Sequence, residues 1–246
     1  MAGSARVRSV AVVVLGVVAL SACGALPGVR GSGVVETEER EVEGFSGIRA
    51  TGIGDVRVRQ TGTESVTVSA EDNILPLLVT EVRSGVLEIG FRDRISVRTT
   101  EPVLVAVTVD DLDLVETSGS STIVVESLET EDLTLVTSGS GDLSVEDLSA
   151  DEVTATTTGS GDIALAGSVA RQSAESSGSG DVLACGLESD EADIDTSGSG
   201  NVEVSVGDRL IATASGSGSV RYVGDPDVSE DTTGSGDVER ITSCPG

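Results

Sequence analysis

Three aspartates, Asp142, Asp162 and Asp181, each follow a Gly-Ser-Gly segment, and they recur at intervals of 20 and 19 residues. Carboxylates so spaced could do two kinds of chemistry. Stacked into one column by a repeating fold, they could share calcium, which takes several carboxylate and carbonyl oxygens in flexible geometry. Singly, each could accept a backbone hydrogen bond in a turn. Asn201 and Ser219 occupy the next two equivalent places, which argues against a continuous metal column. The known calcium-binding β-helix repeat is also a nonapeptide of another pattern. Other reactive groups are scarce. The chain has no His, Lys or Trp, so it lacks the usual proton shuttle near neutral pH, a Schiff-base lysine and His-ligated metal sites. Carboxylate-only catalysis needs just two acids. Phe45, Phe91 and Tyr222 are the whole aromatic inventory, too little for a sugar-stacking cleft. No catalytic residue is nominated.

The aspartates belong to a repeat that extends from Thr117 to the C-terminus. A cluster of the form Thr/Ser-Thr/Ser-Gly-Ser-Gly-Asp recurs every 18 to 20 residues, at Thr137–Asp142, Thr157–Asp162, Ser176–Asp181, Thr196–Asn201, Ala214–Ser219 and Thr232–Asp237. Self-similarity at a fixed period marks a solenoid, in which each unit buries its core by stacking on its neighbours. An apolar-x-apolar triplet follows each cluster, as in Leu143/Val145, Ile163/Leu165 and Val202/Val204. Period-two alternation rich in Val, Ile and Leu is strand patterning. Two short strands and two bends in about 20 residues make one coil of a parallel β-helix, whereas helical repeats need roughly 33 residues or more. Glycine is expected at the bend because it reaches backbone angles closed to other residues. The fold class is therefore all-β, a single-chain parallel β-helix with coils of about 18–20 residues. Upstream, Thr51-Gly52-Ile53-Gly54-Asp55-Val56 keeps the register, but the cluster vanishes between Thr61 and Val109 while strand patterns persist. That stretch reads as an irregular cap over the N-terminal end of the core, with a separate small domain as the other reading.

The first 22 residues read as a targeting leader. Arg6 and Arg8 precede an apolar run from Val10 to Leu20, far short of the roughly 20 residues of a membrane-spanning helix. The run ends in Leu20-Ser21-Ala22-Cys23, which resembles the bacterial lipoprotein signal and makes Cys23 the expected lipid attachment site; an ordinary secretory leader cleaved near Ala22 is the other reading. Residues 23–42, rich in Gly and acids, read as a flexible tether, and residues 43–246 as the β-helix domain.

Charge narrows the partners. Beyond the leader, 13 arginines face 42 acids. From Glu101 to Arg240 there are 30 acids against 4 arginines. Nucleic acid needs a basic footprint and is excluded as a partner. Such a field also disfavours docking on anionic lipid beyond the anchor itself. Solubility and protection against edge-to-edge association account for it simply.

Two further cysteines, Cys185 and Cys244, suggest a disulfide in an exported chain. Stacking would separate their coils by about 14 Å, and a bridge needs Cα atoms within roughly 7 Å. A bridge therefore requires the residues after Asp237 to fold back; otherwise Cys185 is a small buried side chain and Cys244 a free thiol.

Phe45-Ser46-Gly47-Ile48, then Gly52-Ile53-Gly54-Asp55-Val56-Arg57-Val58-Arg59-Gln60, then the Gly-Ser-Gly-Asp coils, resemble the DUF2807 family of auto-transporter adhesin head GIN domains. The resemblance covers residues 43–241. It implies an exported β-helical domain, often lipid-anchored, with no established enzymatic activity or ligand. The reading that follows is a non-catalytic, lipid-anchored envelope protein on the extracytoplasmic face of the cell membrane, acting as a binding or structural module toward a cell-wall or surface-protein ligand. Two rivals are a calcium-loaded scaffold and a polysaccharide-processing enzyme on a β-helix; the enzyme would need exposed carboxylates grouped beside an arginine and an aromatic.

Overall fold

The computed structural model describes residues 28–52, 54–92 and 95–244. Eighteen strands form one continuous sheet that winds as a parallel β-solenoid. Alternation builds it. Leu143, Ile163, Val182, Val202, Val220 and Val238 lie in register in successive coils. On the facing wall, Leu133, Val153, Gln172, Ala192, Leu210 and Val228 do the same. Ile163, Leu165, Val202 and Val204 are all buried, and each such side chain removed from water contributes about 1.5–3 kcal/mol. Arg171 is exposed, as its place on the opposite parity requires; Asp162 is half-buried, because it sits against the next coil.

Gln172 breaks the apolar column. It is buried, and its Nε2 donates to Ser189 Oγ at 2.7 Å and to the Ser205 carbonyl at 3.3 Å. Ser189 Oγ in turn donates to the same carbonyl at 2.9 Å. A buried amide with partners avoids the desolvation cost of an unsatisfied one.

The glycine corners form for a reason other than the expected one. Among the described residues, the glycines of the repeated clusters from Gly139 to Gly236 are absent from the left-handed region of backbone space. What requires glycine is proximity. A Cβ on Gly161 would lie within 3.0 Å of the Gly141 carbonyl oxygen, and one on Gly180 would meet the Gly161 carbonyl the same way. Between the glycines the serine continues the ladder: the Ser160 N–H donates to the Gly139 carbonyl at 2.8 Å, and the Ser179 N–H to that of Gly159 at 2.8 Å. The hydroxyl opening each cluster closes the corner. Thr157 Oγ1 donates to the Gly161 carbonyl at 3.0 Å and Ser176 Oγ to that of Gly180 at 3.1 Å.

The N-terminal end is closed by antiparallel pairing. Ser65–Glu71 runs antiparallel to Leu104–Val109 and to Val35–Arg40, and Leu78–Arg83 antiparallel to Val86–Phe91. Ile74, Leu75 and Leu78, around a short 3-10 turn, are buried at the corner between them. A second, two-stranded sheet pairs Gly28–Arg30 with Ser96–Arg98 in parallel. Residues 28–42, read from composition as flexible tether, are therefore part of the folded unit. Their main chain is fixed by pairing that composition does not report.

Glu71 fastens this segment. Its carboxylate is fully buried. It accepts the Thr100 hydroxyl at 2.5 Å, the Gly33 N–H at 2.7 Å and the Thr100 N–H at 3.1 Å. The Thr100 hydroxyl foremost, with these backbone donors, holds its pKa below the usual carboxylate range against the opposing effect of burial. A lowered folded-state pKa contributes stability above the unfolded value, lost as pH falls through the folded one.

Candidate functional site

Asp142, Asp162 and Asp181 do form a column at the glycine corner, and each carboxylate faces the following coil. Asp142 Oδ1 accepts the Asp162 N–H at 3.0 Å, Asp162 Oδ1 the Asp181 N–H at 2.8 Å, and Asp181 Oδ1 the Asn201 N–H at 2.6 Å. The series continues through the two residues that looked like interruptions. Asn201 Oδ1 accepts the Ser219 N–H at 3.2 Å and Ser219 Oγ the Asp237 N–H at 3.3 Å. Asp, Asn and Ser share one property here, a side-chain oxygen acceptor. Among the described residues, no group of three or more His, Cys, Asp or Glu side chains gathers into a metal site. Asp162→Asn is therefore expected to leave stability within about 0.5 kcal/mol, and Asp162→Ala to lose about 1–2 kcal/mol by orphaning the Asp181 N–H. Urea unfolding of both variants measures this. If the column held calcium, exchanging sodium for calcium at fixed ionic strength would add a saturable rise in midpoint that Asp162→Asn removes.

A second set of charged residues meets on the outer face of the long sheet. Glu152, Arg171, Glu191, Arg209 and Asp227 are in register in five consecutive coils. Arg171 Nη2 lies 3.5 Å from Glu152 Oε2. Glu152, Arg171, Glu191 and Arg209, with Ser173, Asp193 and Ile211, line a shallow surface cavity. Carboxylates and arginines thus meet at spacings of 19, 20, 18 and 18 residues, whereas the polysaccharide-enzyme reading also needs an aromatic beside them. No aromatic joins this ladder. Phe45 is in the core, and Tyr222 packs against it from the opposite wall. Arg49 and Arg83 both pair with Glu88, at 3.6 and 3.0 Å, in a pocket that Phe91 also lines. Arg49 also takes Glu116 at 2.8 Å, so the carboxylates there are engaged with arginine. Alternating charges on a rigid lattice suit recognition of an extended polar ligand.

Cys185 and Cys244 are joined, with Cα atoms 5.7 Å apart. The tail does fold back. Ile241 pairs with Tyr222, three coils above Cys185, and the next three residues return along the surface. Cys23, the expected lipid attachment site, lies outside the described residues.

By its fold the protein belongs to the capped parallel β-solenoids. The family is explicit: residues 44–226 match the DUF2807 model, described as "Putative auto-transporter adhesin, head GIN domain", and the chain belongs to that family. The solved structures it resembles include a putative adhesin from Bacteroides fragilis, 23% identical, covering 87% of this chain and 100% of the other at a TM-score of 0.84. A putative lipid binding protein from Parabacteroides distasonis is 24% identical, covering 87% and 99% at a TM-score of 0.73. A putative adhesin from Parabacteroides distasonis is 26% identical, covering 87% and 100% at a TM-score of 0.69. Among curated proteins, none matches the chain.

Proposed function

We propose that this protein is a lipid-anchored, non-catalytic rod on the extracytoplasmic face of the cell membrane, which presents its solenoid faces to a cell-wall or surface-protein ligand. One observation carries the reading. The charged side chains of the long sheet lie on an open lattice, one rung per coil, rather than around a closed cleft. A lattice of that kind offers many weak, regularly spaced contacts to an extended partner, and the family's description as an adhesin head supports the same role. The anchor rests on Leu20-Ser21-Ala22-Cys23.

Two measurements test it. In cells, Cys23→Ser is expected to abolish palmitate labelling and move the protein from membrane to soluble fractions; unchanged labelling would rule out the anchor. For the ligand, the full-length protein is incubated with cell-wall material and with surface-protein extracts. Capture is expected to weaken at least tenfold when Arg171 and Arg209 are both changed to Glu, since the ladder then presents acids alone and loses its alternation of charge. Equal capture by the variant would reject the ladder as the contact surface.

A further inference from the structure

The acidic field is not spread evenly along the rod. Between Gly28 and Thr100 there are 9 arginines and 12 acids, whereas from Glu101 to Arg240 there are 4 arginines and 30 acids. Near-neutrality is therefore confined to the N-terminal cap, and one part of that cap is locally basic. In the parallel pair of Gly28–Arg30 with Ser96–Arg98, Arg30 stands directly opposite Arg98. Val29 and Val97 pack against the core, so strand alternation turns Arg30 and Arg98 outward together, and both are exposed. Like charges facing each other across two strands destabilise the pairing unless an anion lies between them. Among the described residues neither arginine makes an ion pair. Arg92, exposed on the same insertion, makes none either, and its backbone N–H donates to the Leu77 carbonyl. Of the acids on the flanking strand end, Glu71 is buried, holding Gly33 and Thr100, and Asp72 accepts the Ser32 hydroxyl.

The position of this ribbon says what anion it meets. Ser96–Arg98 falls between Val86–Phe91 and Leu104–Val109, where later coils carry the glycine corner, in the outermost parallel coil of the solenoid. Gly28 is five residues after Cys23, and five residues reach at most about 18 Å.

We propose that Arg30 and Arg98 dock on the phosphate groups of anionic phospholipid in the membrane that holds the anchor. This rests on the lipid-anchor reading of Cys23 and refines the expectation, drawn from net charge, that anionic lipid is disfavoured. Electrostatics act over a Debye length, about 8 Å at physiological ionic strength, whereas coils stack about 4.8 Å apart. A bilayer at the cap therefore feels the arginines and is screened from most of the acidic rod. The same segregation stands the rod away from the surface, since tilting it down would bring the acids within range.

The test reconstitutes the full lipoprotein in vesicles of phosphatidylcholine alone and of phosphatidylcholine with 30 mol% phosphatidylglycerol. That composition is chosen at about the anionic content that sustains a surface potential. Hydrogen exchange of residues 28–34 and 96–100 is the readout. Each arginine near an anionic surface shifts docking about five-fold, so the pair gives about 25-fold. Slower exchange is expected in both segments with phosphatidylglycerol, lost in Arg30→Gln/Arg98→Gln and retained in Arg171→Gln/Arg209→Gln. Unchanged exchange elsewhere in the double variant verifies that it is folded. Equal exchange in the two vesicles, with the protein floating on both, overturns the docking while leaving the anchor in place. Protein that floats on neither vesicle overturns the anchor, and docking is then read by adding vesicles from outside: binding to phosphatidylglycerol vesicles that the double variant loses supports it, and no binding overturns it.

Discussion

Replacing Gly161 with alanine is expected to destabilise the protein by about 3 kcal/mol or more, while Ser160→Ala, one residue away, changes stability by less than about 0.5 kcal/mol. The contrast follows from stacking. The new methyl would lie within 3.0 Å of the Gly141 carbonyl oxygen, which is backbone held by the coil beneath. A flexible side chain could yield, but a carbonyl inside a hydrogen-bonded ladder moves only by disrupting its own coil. Gly180 repeats the contact one coil further on, so strain cannot relax upward either. Ser160 is exposed, and the corner uses its N–H rather than its hydroxyl. Urea unfolding monitored by circular dichroism compares the two variants with the parent. Matching midpoints for Gly161→Ala and the parent would show that the corner tolerates a Cβ and that close stacking is not what selects glycine.

Removing the Cys185–Cys244 cross-link has the second large effect. The bridge closes a chain segment of 59 residues, and loop-closure entropy for that length corresponds to about 4 kcal/mol. For a domain of this size, such a loss lowers the thermal midpoint by about 8–16 °C. The damage should concentrate in the last coils. Asp227–Thr232 and Val238–Arg240 each pair with a neighbour on one side only, and the bridged tail is what ties them down. Cys244→Ser and reductant on the parent protein should give the same midpoint, and reductant should leave Cys244→Ser unmoved. A parent midpoint insensitive to reductant would show that the bridge does not contribute in solution.

These two effects differ in how far the sequence announces them. The period, the strand triplets and the glycine corners are visible because a solenoid writes the same environment into the chain once per coil, so Leu143, Ile163, Val182 and Val202 report one another. The reason for glycine was not visible, because a close approach between coils leaves the same residue type as a left-handed turn. The column of acids was legible in position, and a backbone acceptor role was one of its two readings, but that the donor N–H belongs to the next coil was not visible. Only the register shows that Asn201 and Ser219 perform the task of Asp181. The N-terminal segment misled for a related reason. Val35–Arg40 is exposed along almost its whole length and is held by main-chain pairing, so its side chains carry little imprint of being folded. The charge ladder from Glu152 to Asp227 was present at repeat spacing but was passed over as generic acidity.

The corner column has a consequence for how such a chain changes length over generations. Successive column positions are separated by 20, 19, 20, 18 and 18 residues, yet the hydrogen bond from each oxygen to the next N–H is made every time. The differences are absorbed elsewhere in the coil, where the register shifts between Val145 and Leu148, between Ala164 and Ala166, and between Ala184 and Glu188. One corner acts as a fixed hinge line and another as an expansion joint. Small insertions and deletions at the joint leave the hinge line intact. Duplication of a whole unit would supply both the donor and the acceptor that the flanking units require. The rod can therefore be lengthened or shortened in steps of one coil by ordinary genetic slippage, without redesign of either end.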